Sequence, residues 1–184
     1  MRQTIIPFIV AGLMLLTAGL PVAAAAEKPG NPDVAQMVAD WKRAKAYTLE
    51  YLNAMPESGI NFKPTPEVRT FAEQLLHVAN GNYMFAASAS GKPNPNQSKD
   101  LEKADSLKTR AALTKAVMDS YDYVISSLDG LTPEKLGEKI KFFNMDLSRG
   151  MVYEKLFEHQ THHRGQTTVY LRLKGVKPPA EKLF

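Results

Sequence analysis

Glu158-His159-Gln160-Thr161-His162-His163-Arg164-Gly165-Gln166 is the stretch on which the reading of this chain turns. The chain has 4 histidines, and three of them fall here. An α-helix turns about 100° per residue, so positions i and i+4 differ by only about 40°. His159 and His163 therefore project from one face of a helix, one above the other. His162 lies about 100° round from His163 and points elsewhere. Glu158, four residues before His162, is placed to pair with it on the surface. Two neutral imidazoles at this spacing can chelate one cation. They can equally be hydrogen-bonded histidines of a core or surface. Either way, a buried pair needs partners for its polar nitrogens.

The helix around this stretch has clear ends. Ser148 can cap it, Gly175 fits its C-terminus, and Pro178-Pro179 prevents continuation near Lys174. The expected inward stripe is Val152, Leu156, His159, His163, Gln166, Tyr170 and Leu173.

The fourth histidine, His77, lies in another helical segment. Thr70-Phe71-Ala72-Glu73 has the form of a capping box, in which Thr70 and Glu73 satisfy each other's backbone N–H groups. The helix that follows runs from Phe71 to Ser90 and stops at Gly91. His77 falls in its second turn, with Gly81 one turn further on the same face. A glycine there leaves room for a ligand or for a close helix. Three nitrogens from two helices would leave positions open on an ion, the pattern of a catalytic rather than a structural site. His77, His159 and His163 are thus the candidate metal ligands. Gln166, Asn80 and Glu73 are neighbours that could orient a bound species or a ligand ring, and no general base can be chosen. The zincin H-E-x-x-H, the E-x-x-H pairs of di-iron bundles, G-x-S-x-G and a phosphate-binding glycine loop are all missing from the sequence.

Two further long helices complete the pattern. From Asp33 to Ala54, with Asn31-Pro32 as its start signal, apolar residues recur at helical spacing, with Trp41 as a core anchor. Thr109 to Leu128 carries Leu113, Val117, Tyr121 and Val124 on one stripe, and Gly130 stops it. Met55–Arg69 is a proline-rich loop. The polar Lys92–Ser106 connection is long for a bundle and suggests a crossover or a surface flap. Thr132-Pro133 opens a short helical turn, and Ile140 to Leu147 reads as irregular or briefly extended.

The first 26 residues differ from the rest. Arg2, the apolar run Ile5–Leu20 and the alanine-rich boundary ending at Ala26 form the three parts of a secretory signal peptide. A retained anchor would need a longer uninterrupted apolar run. The expected organisation is a signal peptide at 1–26 and one helical domain at 27–184, exported to the periplasm or secreted, with no stable membrane span after cleavage. A net charge of +4 is small and scattered, which does not suit nucleic-acid binding. The chain has 0 cysteines, so disulfides, thiolate ligands and a cysteine nucleophile are excluded.

His159-x-x-x-His163-Arg164-Gly165-Gln166, Trp41 in the first helix, Thr70–Asn80 with His77, and Thr114–Leu128 with Tyr121-Asp122-Tyr123-Val124 together resemble the DinB-like superfamily. The resemblance spans nearly the whole of 27–184. It implies an all-α four-helix bundle, up-down-down-up, with a long connection between the second and third helices. It also implies a divalent metal held by His77, His159, His163 and water. Related branches include thiol-dependent transferases and isomerases. Three functions follow as expectations: a metal-dependent hydrolase or thiol-dependent transferase, a non-catalytic metal or small-molecule binding bundle, or a metal-free interaction module. Zinc is the default ion because three imidazoles suit it, while nickel, iron, copper and manganese depend on geometry and supply. The partner is expected to be a small molecule, and a homodimer is compatible with the chain.

Overall fold

Among the described residues, hydroxyl and carboxylate caps mark where four of the five α-helices begin, the third being the one whose N-cap side chain makes no such bond. The computed structural model describes residues 33–184, so the signal-peptide expectation and the Asn31-Pro32 start lie outside the described residues. The elements are α1 (Val34–Ala54), α2 (Phe71–Ser90), α3 (Arg110–Ser127), a short α4 (Pro133–Gly137), β1 (Lys139–Phe142), β2 (Met145–Ser148) and α5 (Arg149–Leu173). Asp33 caps α1 through the N–H of Ala35. Thr70 and Glu73 form the expected capping box on α2. Thr132 caps α4 and Ser148 caps α5. Gly91 ends α2 at φ 75°, a left-handed value that glycine adopts without steric cost.

Pair contacts give each long helix its direction. Arg149, at the start of α5, donates to the carbonyl of Ala89 at the end of α2, and Tyr170 near the end of α5 donates to that of Arg69 before α2. These two helices are antiparallel. Lys108, just before α3, meets Glu73 at the start of α2, while Lys92 after α2 meets Ser126 at the end of α3. α2 and α3 are therefore parallel. Arg110 at the start of α3 donates to Leu52 and Met55 at the end of α1, so that pair is antiparallel. The result is an up-down-down-up bundle, and the 92–109 connection is its crossover.

The core lies between the four long helices. Trp41 is buried, edge-on to Phe157 at 5.3 Å and tilted against Tyr121 at 5.8 Å. Leu75, Leu76, Leu113, Val117, Val152 and Leu156 fill the space around them. A polar chain crosses this core. The hydroxyls of Thr48 and Tyr121 lie 2.8 Å apart, and Tyr121 donates to Oε1 of Gln160 at 3.0 Å. Buried polar groups of this kind are tolerated because each finds a partner.

One detail settles an open sequence reading in favour of its extended alternative, and a second departs from expectation. Ile140–Leu147 is an ordered antiparallel hairpin, with Lys139 opposite Ser148 and Phe142 opposite Met145. Its turn residues Phe143 and Asn144 both have positive φ, 46° and 65°, the twist that a two-residue hairpin demands. The buried face of α5 is also rotated from the expected stripe. Gln160, Arg164, Thr167 and Leu171 are buried, whereas Gln166 is exposed and Leu173 is 58% exposed. The bundle solvates the apolar Leu173 and encloses the polar Gln160 because hydrogen bonds satisfy the latter. Among the described residues, no helix is long and apolar enough to cross a membrane.

Candidate metal centre

His77 on α2 and His159 and His163 on α5 converge where the two antiparallel helices cross. One nitrogen from each ring lies within 4.8 Å of one from each of the others. His77 Nε2 and His159 Nε2 stand 3.2 Å apart. A tetrahedral ion with bonds of about 2.0–2.1 Å to nitrogen would place its ligands about 3.3 Å apart. The donor set fits a divalent ion on that measure. His162 is exposed on the neighbouring face, as helical geometry requires, and its Nε2 accepts from Gln166 at 2.8 Å. The expected Glu158–His162 pair does not form as a hydrogen bond, because Glu158 is taken by Lys155 at 2.8 Å.

The close crossing depends on Gly81. A Cβ at that position would lie 2.6 Å from Cε1 and 2.9 Å from Nδ1 of His159. The ring rests against the backbone of α2 because residue 81 has no side chain. His159 Nδ1 is buried there without a partner, so the polar contact of this ring runs through Nε2. On its other side the ring stacks on Phe85 at 5.7 Å and 28°, and Phe85 packs on Phe142 of the hairpin at 4.7 Å. The hairpin thereby buttresses the His159 ring from outside the bundle.

Burial, then the neighbouring His77, pushes His159 down to about 4. Burial, then His159 and His77, pushes His163 down to about 3. Both effects disfavour imidazolium, so these two rings are neutral at ordinary pH, which is the ligating form.

The residues that orient the rings are only partly the expected ones. His77 Nδ1 donates to Oε1 of Glu102 at 2.7 Å, which directs Nε2 towards His159. The other oxygen of Glu102 accepts from Nε of Arg69 at 2.6 Å. This carboxylate–histidine arrangement is how metal-ligating rings are commonly fixed in tautomer and direction. Glu102 sits on the 92–109 crossover, in a short 3₁₀ turn, and no periodicity marks it. Glu73, the sequence candidate for this role, is spent on its capping box and on Lys108. Asn80 lines the cavity beside His77 and His159, but its amide is spent on the crossover. It anchors the crossover, donating to Asp100 at 3.0 Å and accepting from the N–H of Leu101 at 3.2 Å. Gln74 was also missed: its amide meets His163 Nδ1 at 3.1 Å and Gln166 Oε1. A glutamine three residues before His77 is on the same face of α2, and that spacing was the available signal.

Two open cavities lie near the site, one lined by two of the rings and the other reaching it only through Gln74. One, of about 410 Å³, touches His77 and His159 and is lined by Met84 and Phe85 on one side and Lys99 and Asp100 on the other. The second, of about 710 Å³, is bordered by Arg69, Gln74, Gln166 and Val169.

Residues 27–183 match the DinB family. The chain is 25% identical over 148 residues to the uncharacterized protein YrdA of Bacillus subtilis (strain 168), covering 76% of this chain and 81% of that one. It is 24% identical over 144 residues to YjoA of the same organism, covering 76% and 90%. A crystal structure of a DinB-like protein from Bacillus cereus ATCC 10987 superposes with a TM-score of 0.68 at 19% identity, over 79% of this chain and 95% of that one. The crystal structure of YjoA superposes at 0.59 and 20% identity, over 81% and 96%. At these identities the structural likeness bears on the fold alone.

Proposed function

Since the chain belongs to the DinB family, we propose that it is a divalent-metal protein in which His77, His159 and His163 hold the ion, zinc by default. The carrying observation is the convergence of three ring nitrogens from two helices, with Glu102 holding one ring by its far nitrogen. A divalent ion so bound would lower the pKa of a water or thiol and polarise a substrate oxygen, the chemistry of a hydrolase or a thiol-dependent transferase. The chain's own residues do the rest. Glu102 and Arg69 orient His77, Gln74 places its amide against Nδ1 of His163, and Phe85 shields one face of His159. The cavity lined by His77 and His159 gives a small molecule access to the site.

A second reading, a metal or small-molecule binding bundle without turnover, is favoured by one observation. Of the carboxylates lining the two cavities, Glu102 is committed to His77 and Arg69, Glu73 to Lys108 and Asp100 to Lys103 and Asn80, and the exposed Glu67, which makes no ion pair among the described residues, lines the cavity that holds no histidine. Export to the periplasm or secretion, carried by the pattern of residues 1–26, belongs to the same proposal. Elemental analysis of protein purified from its native compartment is the deciding experiment. About one equivalent of a divalent metal supports the reading, and wild-type protein that stays metal-free under reconstitution overturns it. Turnover in a screen of esters, amides and thiol–electrophile pairs then separates the enzyme from the binding protein.

A further inference from the structure

Arg164 follows His163 in sequence, but its side chain leaves the metal centre and enters the opposite side of α5. It is 7% exposed, which is rare for a guanidinium without an ion-pair partner. Nη1 donates to Oε1 of Gln160 at 2.9 Å, and the guanidinium lies over the ring of Tyr47 at 4.5 Å. Those are neutral partners. An arginine carries five N–H donors. Besides Gln160 the guanidinium meets the hydroxyl of Tyr121, and among the described residues none of its nitrogens is both buried and without a partner, so its remaining donors reach solvent at the cavity it lines. A largely buried, always-charged group with neutral protein partners favours an anion where its open donors face a cavity.

A cavity of about 630 Å³ opens beside it, walled by α1, α5 and the C-terminal segment. Arg172 and Lys177 line the same cavity, are exposed, and form no ion pair among the described residues. Glu181 is the carboxylate of the lining and pairs with none of the three cations. Hydroxyl groups complete the wall, with Tyr51 and Thr168 hydrogen-bonded to each other at 2.9 Å. The C-terminal segment is fixed in place: Arg43 donates to the carbonyl of Lys182, and Lys182 pairs with Glu50. Three unpaired cations, one of them buried, and a set of hydroxyls around one cavity are what an oxyanion requires.

We propose that this cavity binds the phosphate or carboxylate group of a small molecule, with Arg164 as the buried anchor and Arg172 and Lys177 closing on it from the rim. The site is separate from the three histidines and lies on the other face of α5. It holds whether or not a metal is bound.

Isothermal titration of the purified protein with sodium phosphate, and separately with sodium succinate, tests it against sodium chloride at equal ionic strength. Saturable binding of either anion, beyond chloride, is expected, and the preferred one identifies the group recognised. Arg172→Ala and Lys177→Ala, both at exposed positions where folding is not at risk, should each weaken binding about tenfold. Arg164→Lys, which keeps the charge but loses the fork, should weaken it at least as much, with metal content unchanged. Absence of saturable binding by the wild type, or Arg172→Ala and Lys177→Ala variants that bind like it, overturns the proposal.

Discussion

Nε2 of His77 and Nε2 of His159 face each other at 3.2 Å across two helices, from residues 82 positions apart in the chain. His163 joins them from one turn further along α5, and His162 does not. Replacing His163 with alanine should therefore remove most of the bound metal, whereas His162→Ala should remove little. Metal content by elemental analysis after dialysis reads this directly. Equal loss in the two variants would show that the site is not the one described.

Gly81 makes a second test of the same geometry. Alanine at position 81 suits an α-helix better than glycine, by about 1 kcal/mol. Its methyl group would nevertheless lie 2.6 Å from the His159 ring. The ring must move, and α2 cannot yield without disturbing its packing on α5. Gly81→Ala should fold yet bind metal at least about tenfold more weakly, a loss of about 1.4 kcal/mol. Metal affinity equal to wild type would mean that His159 does not ligate from this position.

Glu102 reaches the site only through Nδ1 of His77. Partners of this kind typically contribute 10- to 100-fold, roughly, to metal affinity. Glu102→Gln keeps the shape and removes the charge that favours the Nδ1–H tautomer, so an affinity loss within that range is expected. Helical content by circular dichroism should be unchanged, because Glu102 lies on the crossover and not in the bundle. If metal affinity is unaffected, Glu102 is only a tether for Arg69.

The sequence carried the parts of this architecture that local physics writes. Thr70 and Glu73 announce α2 because a capping box needs both residues at that spacing, and Gly91 ends it because a left-handed residue is needed there. His159 and His163 share a face because the helix has no alternative. What could not be read depends on residues far apart in the chain. Glu102 meets His77 only after the crossover folds back over α2. Gln160 and Arg164 lie off the expected inward stripe of α5, and only Tyr121, Tyr47 and the tail-walled cavity reveal why they are inside. The hairpin lacks the Asn-Gly or Asp-Gly signal of its turn type, since Phe143 occupies a left-handed position that such a residue rarely takes.

Glu73 gives the fold a pH dependence of predictable sign. The backbone N–H of Thr70 is the main cause that holds its carboxyl below the usual 4.5, with Lys108 adding to it against the opposing effect of burial. A carboxyl whose folded pKa is depressed binds its proton less readily in the folded than in the unfolded chain. Its contribution is therefore fully present above 4.5 and is lost as the pH falls from there through the lower folded value. Glutamine at 73 can still close the capping box but cannot pair with Lys108, which is itself shared with Asp105 at 3.1 Å. Glu73→Gln should lower stability by up to about 1 kcal/mol at neutral pH, the range of a partly exposed ion pair. The gap between the two proteins in urea unfolding should close as the pH is taken below 4.5. Thr70→Ala, which removes the hydroxyl cap instead, should cost about 1 kcal/mol with much weaker dependence on pH. A Glu73→Gln deficit that persists undiminished in acid would show that the ionised carboxylate does not hold α2 to the start of α3.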